Sequence, residues 1–136
     1  MLPNIFLSNK IKIFLIGLIF MKVGIVGSRN ITYTDFSKFL SYIPKECTEI
    51  ISCVAVGIDF LAKIAANYLS VKMTEFLPQY KIYGKKAPLI RNSSIVKNSD
   101  IVLAFWDMKS QGTLHSINLC QKYYLGNVLI FLKEIL

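Results

Sequence analysis

Acidic side chains are scarce in this chain: eight Asp and Glu face sixteen Lys and Arg, a formal net charge of +8 over 136 residues. A surplus of that sign disfavours cationic partners and favours polyanionic ones, namely nucleotides, nucleic acid or an anionic membrane surface. Cysteine is scarce too. Cys47, Cys53 and Cys120 are odd in number and form no C-x-x-C pair, which argues against a disulfide framework and against a zinc site. A reduced, cytoplasmic protein without a metal is the expectation. The lone histidine, His115, has no nearby Cys or Asp partner in sequence, so imidazole catalysis has little support. The fingerprint G-x-G-x-x-G is absent, because Gly24 and Gly27 are three apart and nothing follows them; NAD is not supported. Long apolar runs are missing as well. Ile13 to Met21 is an uninterrupted apolar stretch between Lys12 and Lys22, well short of the roughly 20 residues a bilayer-crossing helix needs. No membrane span, internal repeat or low-complexity tract is expected.

What is present is apolar. The hydrophobic fraction is 54% with a mean hydropathy of +0.49, against about 45 to 50% apolar residues in ordinary soluble domains. Either a membrane segment or strands buried on both faces must account for it. A chain of this length makes about one domain. Residues 1–20, MLPNIFLSNKIKIFLIGLIF, resemble the n- and h-regions of a signal peptide, but no small-x-small cleavage site follows promptly, and cleavage near Gly27 would destroy the next strand. The expectation is a dispensable apolar extension, read from an upstream start, ahead of a domain over 21–136 that begins at Met21. An extra element docked on the fold and membrane targeting are the alternatives.

From Met21 the chain alternates between two periods. KVGIVG is a short apolar run closed by Gly27, with the composition of a fully buried strand. Thr34 or Asp35 can cap a helix that places Phe36, Phe39, Leu40 and Ile43 at i, i+3, i+4 and i+7, with Pro44 stopping it. TEIIS (48–52) makes a second strand, and Gly57 to Leu69 a second helix carrying Phe60, Leu61, Ile64, Ala65 and Tyr68 on one face. VKMTEFL (71–77) is a third strand closed by Pro78, and QYKIYGKKA a polar, aromatic and basic loop. Pro88 suits the first turn of a third helix reaching about Asn98. DIVLAFW (100–106) is a fourth strand, DMKSQG a loop, Thr113 to Leu125 a fourth helix with Gly126 at its C-terminal cap, and NVLIFL a fifth strand. The pattern predicts a doubly wound, Rossmann-like α/β domain: a five-stranded parallel sheet with helices on both faces. Ligands in such sheets bind beyond the carboxyl ends of the strands, where the strand order reverses. The loops to read are therefore GSRN, SCVAVGID and WDMKSQGT.

In the first loop Gly27 permits a tight turn, Ser28 offers a hydroxyl, and Arg29 a guanidinium with bidentate geometry for phosphate or carboxylate. The bland alternative is a strand-to-helix turn with a solvated arginine. Taken together, VGIVGSRN, AVGIDFLAKIAA, APLIRNSSIVKNSDIVLAFWD and KSQGTLHSI resemble the SLOG superfamily, the Rossmann-like domains shared by the DNA-processing protein DprA (Smf) and the LOG phosphoribohydrolases. The match is nearest to the small stand-alone YspA-like or DprA-like branch, and it spans Met21 to about Leu132. The resemblance implies a nucleotide-derived ligand lying across the three loops. Carried over residue by residue, it implicates Gly27, Ser28 and Arg29; Ser52, Ala55, Gly57 and Asp59; Arg91 and Asn92; and Ser110, Gly112 and Thr113.

Two departures qualify it. Relatives usually have Ser-Gly-Gly or Ser-Gly-x-Ala at the second loop, and Ser52-Cys53-Val54-Ala55 replaces those glycines with side chains that hinder approach to bare backbone. The LOG enzymes place a catalytic glutamate three residues past their Gly-Thr, where this chain has Ser116, whose hydroxyl cannot supply a carboxylate to a developing oxocarbenium ion. A LOG-like nucleotide N-glycosidase would need Asp59 or Asp107 as a rearranged acid.

Several candidates also have structural readings. Asp59 suits a helix first turn as well as a ligand contact. Trp106 at the end of strand four either stacks on a base or is a partly buried sheet-end residue. Arg91 and Asn92 belong to the third helix and can be its polar face. Thr113 is an N-cap candidate at a helix start that also makes an anion site. Cys53 is a small apolar residue or a thiol activated by a helix N-terminus. Between Lys72 and Lys97, Tyr80 and Tyr83 are interleaved with Lys81, Lys85 and Lys86, the combination that tracks a backbone and stacks bases in single-stranded nucleic-acid binders. An ordinary solvated loop is the alternative. The resemblance to DprA, which binds single-stranded DNA, gives the nucleic-acid reading some weight. The leading expectation is a nucleotide-binding, sensor-like domain without assured catalysis. Arg29 would hold a phosphate, the N–H groups of Gly112 and Thr113 a second anionic group, and Asp59 or Asn92 the ribose hydroxyls. The oligomeric state, including a homo-oligomer, is left open.

Overall fold

The computed structural model describes residues 20–31, 35–53, 57–124 and 128–132. Expectations for residues 1–19, Thr34, Val54, Ala55, Leu125 and Gly126 lie outside the described residues. The elements run β1 (Met21–Gly27), α1 (Phe36–Ser41), β2 (Cys47–Ser52), α2 (Ile58–Leu69), β3 (Lys72–Glu75), α3 (Tyr80–Tyr83), a 3-10 turn (Gly84–Lys86), α4 (Ala87–Asn98), β4 (Ile101–Trp106), α5 (Gln111–Tyr124) and β5 (Val128–Leu132). All strand pairs are parallel, in the order β3-β2-β1-β4-β5. The direction of winding reverses between β1 and β4, which places a crevice at their carboxyl ends.

Side-chain alternation splits the sheet into two cores. Val23, Ile25, Ile50, Leu103 and Phe105 face α1 and α2, where Phe39, Ile58, Ala62, Ala65 and Ala66 cover them. Val26, Ile51, Val102 and Ala104 face α4 and α5, covered by Ile95, Val96, Ile117 and Cys120. The central strands β1, β2 and β4 are buried on both faces and contribute to the high apolar fraction of the chain. Among the described residues no helix is long and apolar enough to cross a membrane.

The structure changes four local expectations. Helix α1 stops at Ser41, so Ile43 is buried beyond its end; Asp35 is its cap, accepting the Lys38 N–H at 3.1 Å. The inner face of α2 is rotated from the expected one. Ile58, Asp59, Ala62, Ala65 and Ala66 are buried, Leu61 is partly so, and Phe60, Ile64 and Tyr68 are exposed. The cause is close approach: a Cβ on Gly27 would lie 2.5 Å from the Ile58 Cβ, so the first turn of α2 packs Ile58 directly against the β1 backbone. The expected loop over QYKIYGKKA instead makes the turn α3, whose Ile82 and Tyr83 N–H groups donate to the Gln79 carbonyl, and a 3-10 turn leading into α4. Helix α5 begins at Gln111, two residues before Thr113.

Candidate functional site

The β1 and β4 ends are joined before any ligand is considered. The Ser28 N–H donates to the Phe105 carbonyl at 3.0 Å, its hydroxyl donates to Asp107 Oδ1 at 3.1 Å, and the Asp107 N–H donates back to Ser28 Oγ at 3.2 Å. Asp107 Oδ1 also accepts the N–H groups of Lys109 at 2.9 Å and Ser110 at 2.7 Å, closing a turn in which Met108 takes a φ of 66°. Those two backbone donors, followed by the smaller help of the Ser28 hydroxyl, hold the Asp107 carboxyl down at about 2. Trp106 braces the same turn, its Nε1–H donating to the Ser110 carbonyl at 3.0 Å, and it does not line the cleft. The base-stacking reading of Trp106 therefore loses its geometry.

Ser110, not Thr113, caps α5. Its Oγ accepts the Thr113 N–H at 3.4 Å and its carbonyl accepts the Leu114 N–H at 3.2 Å. Sequence alone could not choose between two hydroxyl residues three apart. The Thr113 N–H is thereby engaged, and Thr113 Oγ1 lies 3.3 Å from Ser110 Oγ and 3.5 Å from Ser28 Oγ. The open donors of the first turn are the N–H groups of Gln111 and Gly112, which have no partner among the described residues.

These loops enclose a cleft of about 640 Å³, within the usual range for small-molecule sites. Gly27, Ser28, Arg29, Asp59, Arg91, Asn92, Ser110, Gly112 and Thr113 all line it, so most of the implicated residues do converge. Arg29 is exposed and makes no side-chain hydrogen bond or ion pair among the described residues, though its charge reaches Asp59. Arg91, half-buried on α4, donates from Nε to Asn92 Oδ1 at 3.0 Å, and the buried Asn92 donates from Nδ2 to the Gly112 carbonyl at 3.4 Å. Asn92 thus ties α4 to α5 and aims Arg91, with one amide N–H and its Oδ1 engaged within the protein.

The second loop is more buried than expected. Ser52 and Gly57 do not line the cleft. Gly57 begins α2 with φ 77° and ψ −125°, and a Cβ there would stand 3.0 Å from the Arg29 carbonyl oxygen, so its glycine serves the backbone approach of β1 to α2. Ser52 Oγ reaches the Ile25 carbonyl and Asp59 Oδ1, and the Cys53 thiol donates to Asp59 Oδ2 at 3.0 Å. Asp59 is a buried floor residue whose carboxyl is pushed above its ordinary value by desolvation, against the hydrogen bonds from Cys53 and Ser52 and the nearby Arg91 and Arg29. Cys53 lines the cleft, but burial, reinforced by the Asp59 charge, pushes its thiol up to about 12. That environment disfavours the thiolate and argues against an activated cysteine at this helix start.

Ser116 also lines the cleft, with its hydroxyl turned back onto the Gly112 carbonyl at 3.3 Å. His115 stays outside the lining; its Nδ1 has no partner among the described residues, and burial lowers its pKa. Asn30, Pro78, Pro88 and Leu89 line the cleft without having been singled out in the sequence, and Asp107 had been weighed only as a rearranged acid. The Asp at the end of an apolar strand, followed by a polar turn, was the one available signal. Tyr80 stands on the rim. Lys81, Tyr83, Lys85 and Lys86 are exposed beyond it.

Compared with known proteins, the chain matches no family model, no curated protein and no solved structure.

Proposed function

We propose that the cleft binds a small anionic ligand, a nucleotide or nucleotide-derived molecule, and that the protein acts as a sensor or carrier. The observation that carries this reading is convergence: Arg29, Arg91 and the open N–H group of Gly112 meet at one cleft of about 640 Å³ at the crevice of a parallel sheet. Arg29 and Arg91 supply bidentate cations for a phosphate, and the first turn of α5 supplies backbone donors and a favourable dipole for a second anionic group. The SLOG-like motifs favour a nucleotide among small anions. The net charge of +8 and three buried thiols fit a polyanion-binding protein of a reduced, cytoplasmic setting.

Nothing in the site favours a LOG-like hydrolytic step. Ser116 replaces the glutamate, Asp107 is held by three donors as a turn-forming anion, and Asp59 is engaged by Ser52 and Cys53 on the cleft floor. A second reading, single-stranded DNA binding, rests on Tyr80, Lys81, Tyr83, Lys85 and Lys86 all being exposed on one short segment whose Tyr80 touches the rim. Native mass spectrometry of the freshly purified protein, followed by calorimetric titration of a nucleoside phosphate panel, tests the first reading. Saturable binding lost in Arg29→Ala is expected; no binding by any nucleotide would contradict it.

A further inference from the structure

The Ser52 hydroxyl has one proton and two neighbouring oxygens that could accept it. Its Oγ lies 2.7 Å from the Ile25 carbonyl oxygen and 2.9 Å from Asp59 Oδ1, where Ser52 is fully buried and Asp59 is 5% exposed. A carboxylate at Asp59 would leave one of those contacts as two oxygens with no hydrogen between them. A carboxylic acid completes the chain. In that arrangement Asp59 Oδ1–H would donate to Ser52 Oγ, the reverse of the donation a carboxylate would receive, Ser52 would donate onward to the Ile25 carbonyl, and Asp59 Oδ2 would accept the Cys53 thiol at 3.0 Å.

We propose that, at pH below its raised midpoint, Asp59 carries a proton in the ligand-free protein and that the cleft binds its oxyanion together with that proton, as a proton-coupled anion site. This rests on the anion reading given above and adds its regulation. With Asp59 neutral, Asp107 is the one carboxylate that lines the cleft alongside Arg29 and Arg91; once Asp59 ionises, the cleft holds two carboxylates, and an oxyanion meets a new negative charge on the floor. Oxyanion affinity therefore falls as pH rises through the Asp59 titration, and by linkage the bound oxyanion raises the Asp59 pKa by the same factor. The desolvation of Asp59 acts in the required direction. The groups facing Asp59 are Ser52 and Cys53 at the end of β2, Arg29 after β1 and Arg91 on α4, and the Cys53 thiol, raised chiefly by its burial, stays protonated throughout.

The probe is inorganic sulfate, whose charge is constant over the working pH range. Carbon-13 NMR of the Asp59 carboxyl should give a midpoint above its ordinary 3.8 without sulfate and a higher one with it. Calorimetry should show sulfate affinity falling with pH, about tenfold for each unit by which sulfate raises that midpoint. Asp59→Asn reproduces the donor and acceptor of the neutral acid, so it should fold and bind sulfate without the fall. His115→Asn should leave the fall intact. A midpoint at or below 3.8 overturns the protonation whatever sulfate does. A raised midpoint with pH-independent binding, or a fall abolished by His115→Asn, overturns the coupling. A raised midpoint with no sulfate binding at any pH also ends the coupling, and there the failure belongs to the anion reading.

Discussion

Ser28 and Asp107 hold each other through two reciprocal hydrogen bonds, of 3.1 and 3.2 Å, across 79 residues of sequence. The pair joins the carboxyl ends of β1 and β4 at the point where the sheet reverses its winding, so the cleft inherits its shape from this contact. Ser28→Ala removes the buried hydroxyl and leaves the Asp107 N–H without its acceptor. It should lower stability by about 1 kcal/mol or somewhat more, read as a lower urea midpoint at unchanged slope.

Two glycines of the cleft should respond oppositely to the same change. Gly27→Ala drives a methyl group to within 2.5 Å of the Ile58 Cβ, a backbone-anchored atom that cannot swing away, and should cost about 1 to 3 kcal/mol as α2 is forced off the sheet. Gly112→Ala meets nothing within 4 Å and lies inside α5, so it should be neutral or stabilising by up to about 1 kcal/mol. Thermal unfolding of both variants checks the pair.

The three thiols should be inert in the folded protein. Cys47, Cys53 and Cys120 are buried, and burial raises them to about 11, 12 and 11 respectively. A disulfide-exchange reagent at mildly alkaline pH should label all three only as fast as the chain unfolds. Rapid labelling of Cys53 alone would show an open second loop.

Asp107 should contribute to acid stability with a defined sign. Its folded value, about 2, lies below the ordinary 3.8, so its contribution is complete above that ordinary value and is lost as pH falls through the folded one. Asp107→Asn should flatten the acid limb of the stability curve in that window. A curve parallel to the parent's down to the lowest pH would contradict the role given to the turn.

The sheet and its crevice were legible because parallel strands buried on both faces read as apolar runs that need no long-range information. That is why the loops after β1 and β4 could be named before their residues met. The face of α2 was not legible. Phe60, Ile64 and Tyr68 satisfy a helical period as well as Ile58, Ala62 and Ala65 do, and the choice was made by how closely α2 approaches Gly27. The cap of α5 was missed because Asp107 pulls the Lys109 and Ser110 amides into a turn and brings Ser110 to the cap position. Arg29, Arg91 and Gly112 were found as types; that Asn92 aims Arg91 and ties α4 to α5 is a contact between distant segments that no spacing reveals.

The central claim is that the cleft, and not the basic segment after β3, is where the anion binds. Its most direct test is a titration of a nucleotide panel and a short labelled oligonucleotide at several salt concentrations, for the parent, Arg29→Ala and a Lys85/Lys86 double alanine variant. Loss of the guanidinium should remove a charge-assisted contact of about 1.5 to 3 kcal/mol and weaken mononucleotide binding roughly ten- to a hundredfold, while the lysine pair should matter little. Single-stranded DNA binding would instead show a steep salt dependence, with a log-log slope of about −0.7 per phosphate contacted, flattened in the lysine variant. Mononucleotide binding undiminished in Arg29→Ala, or tight oligonucleotide binding lost with the lysine pair, would contradict the account.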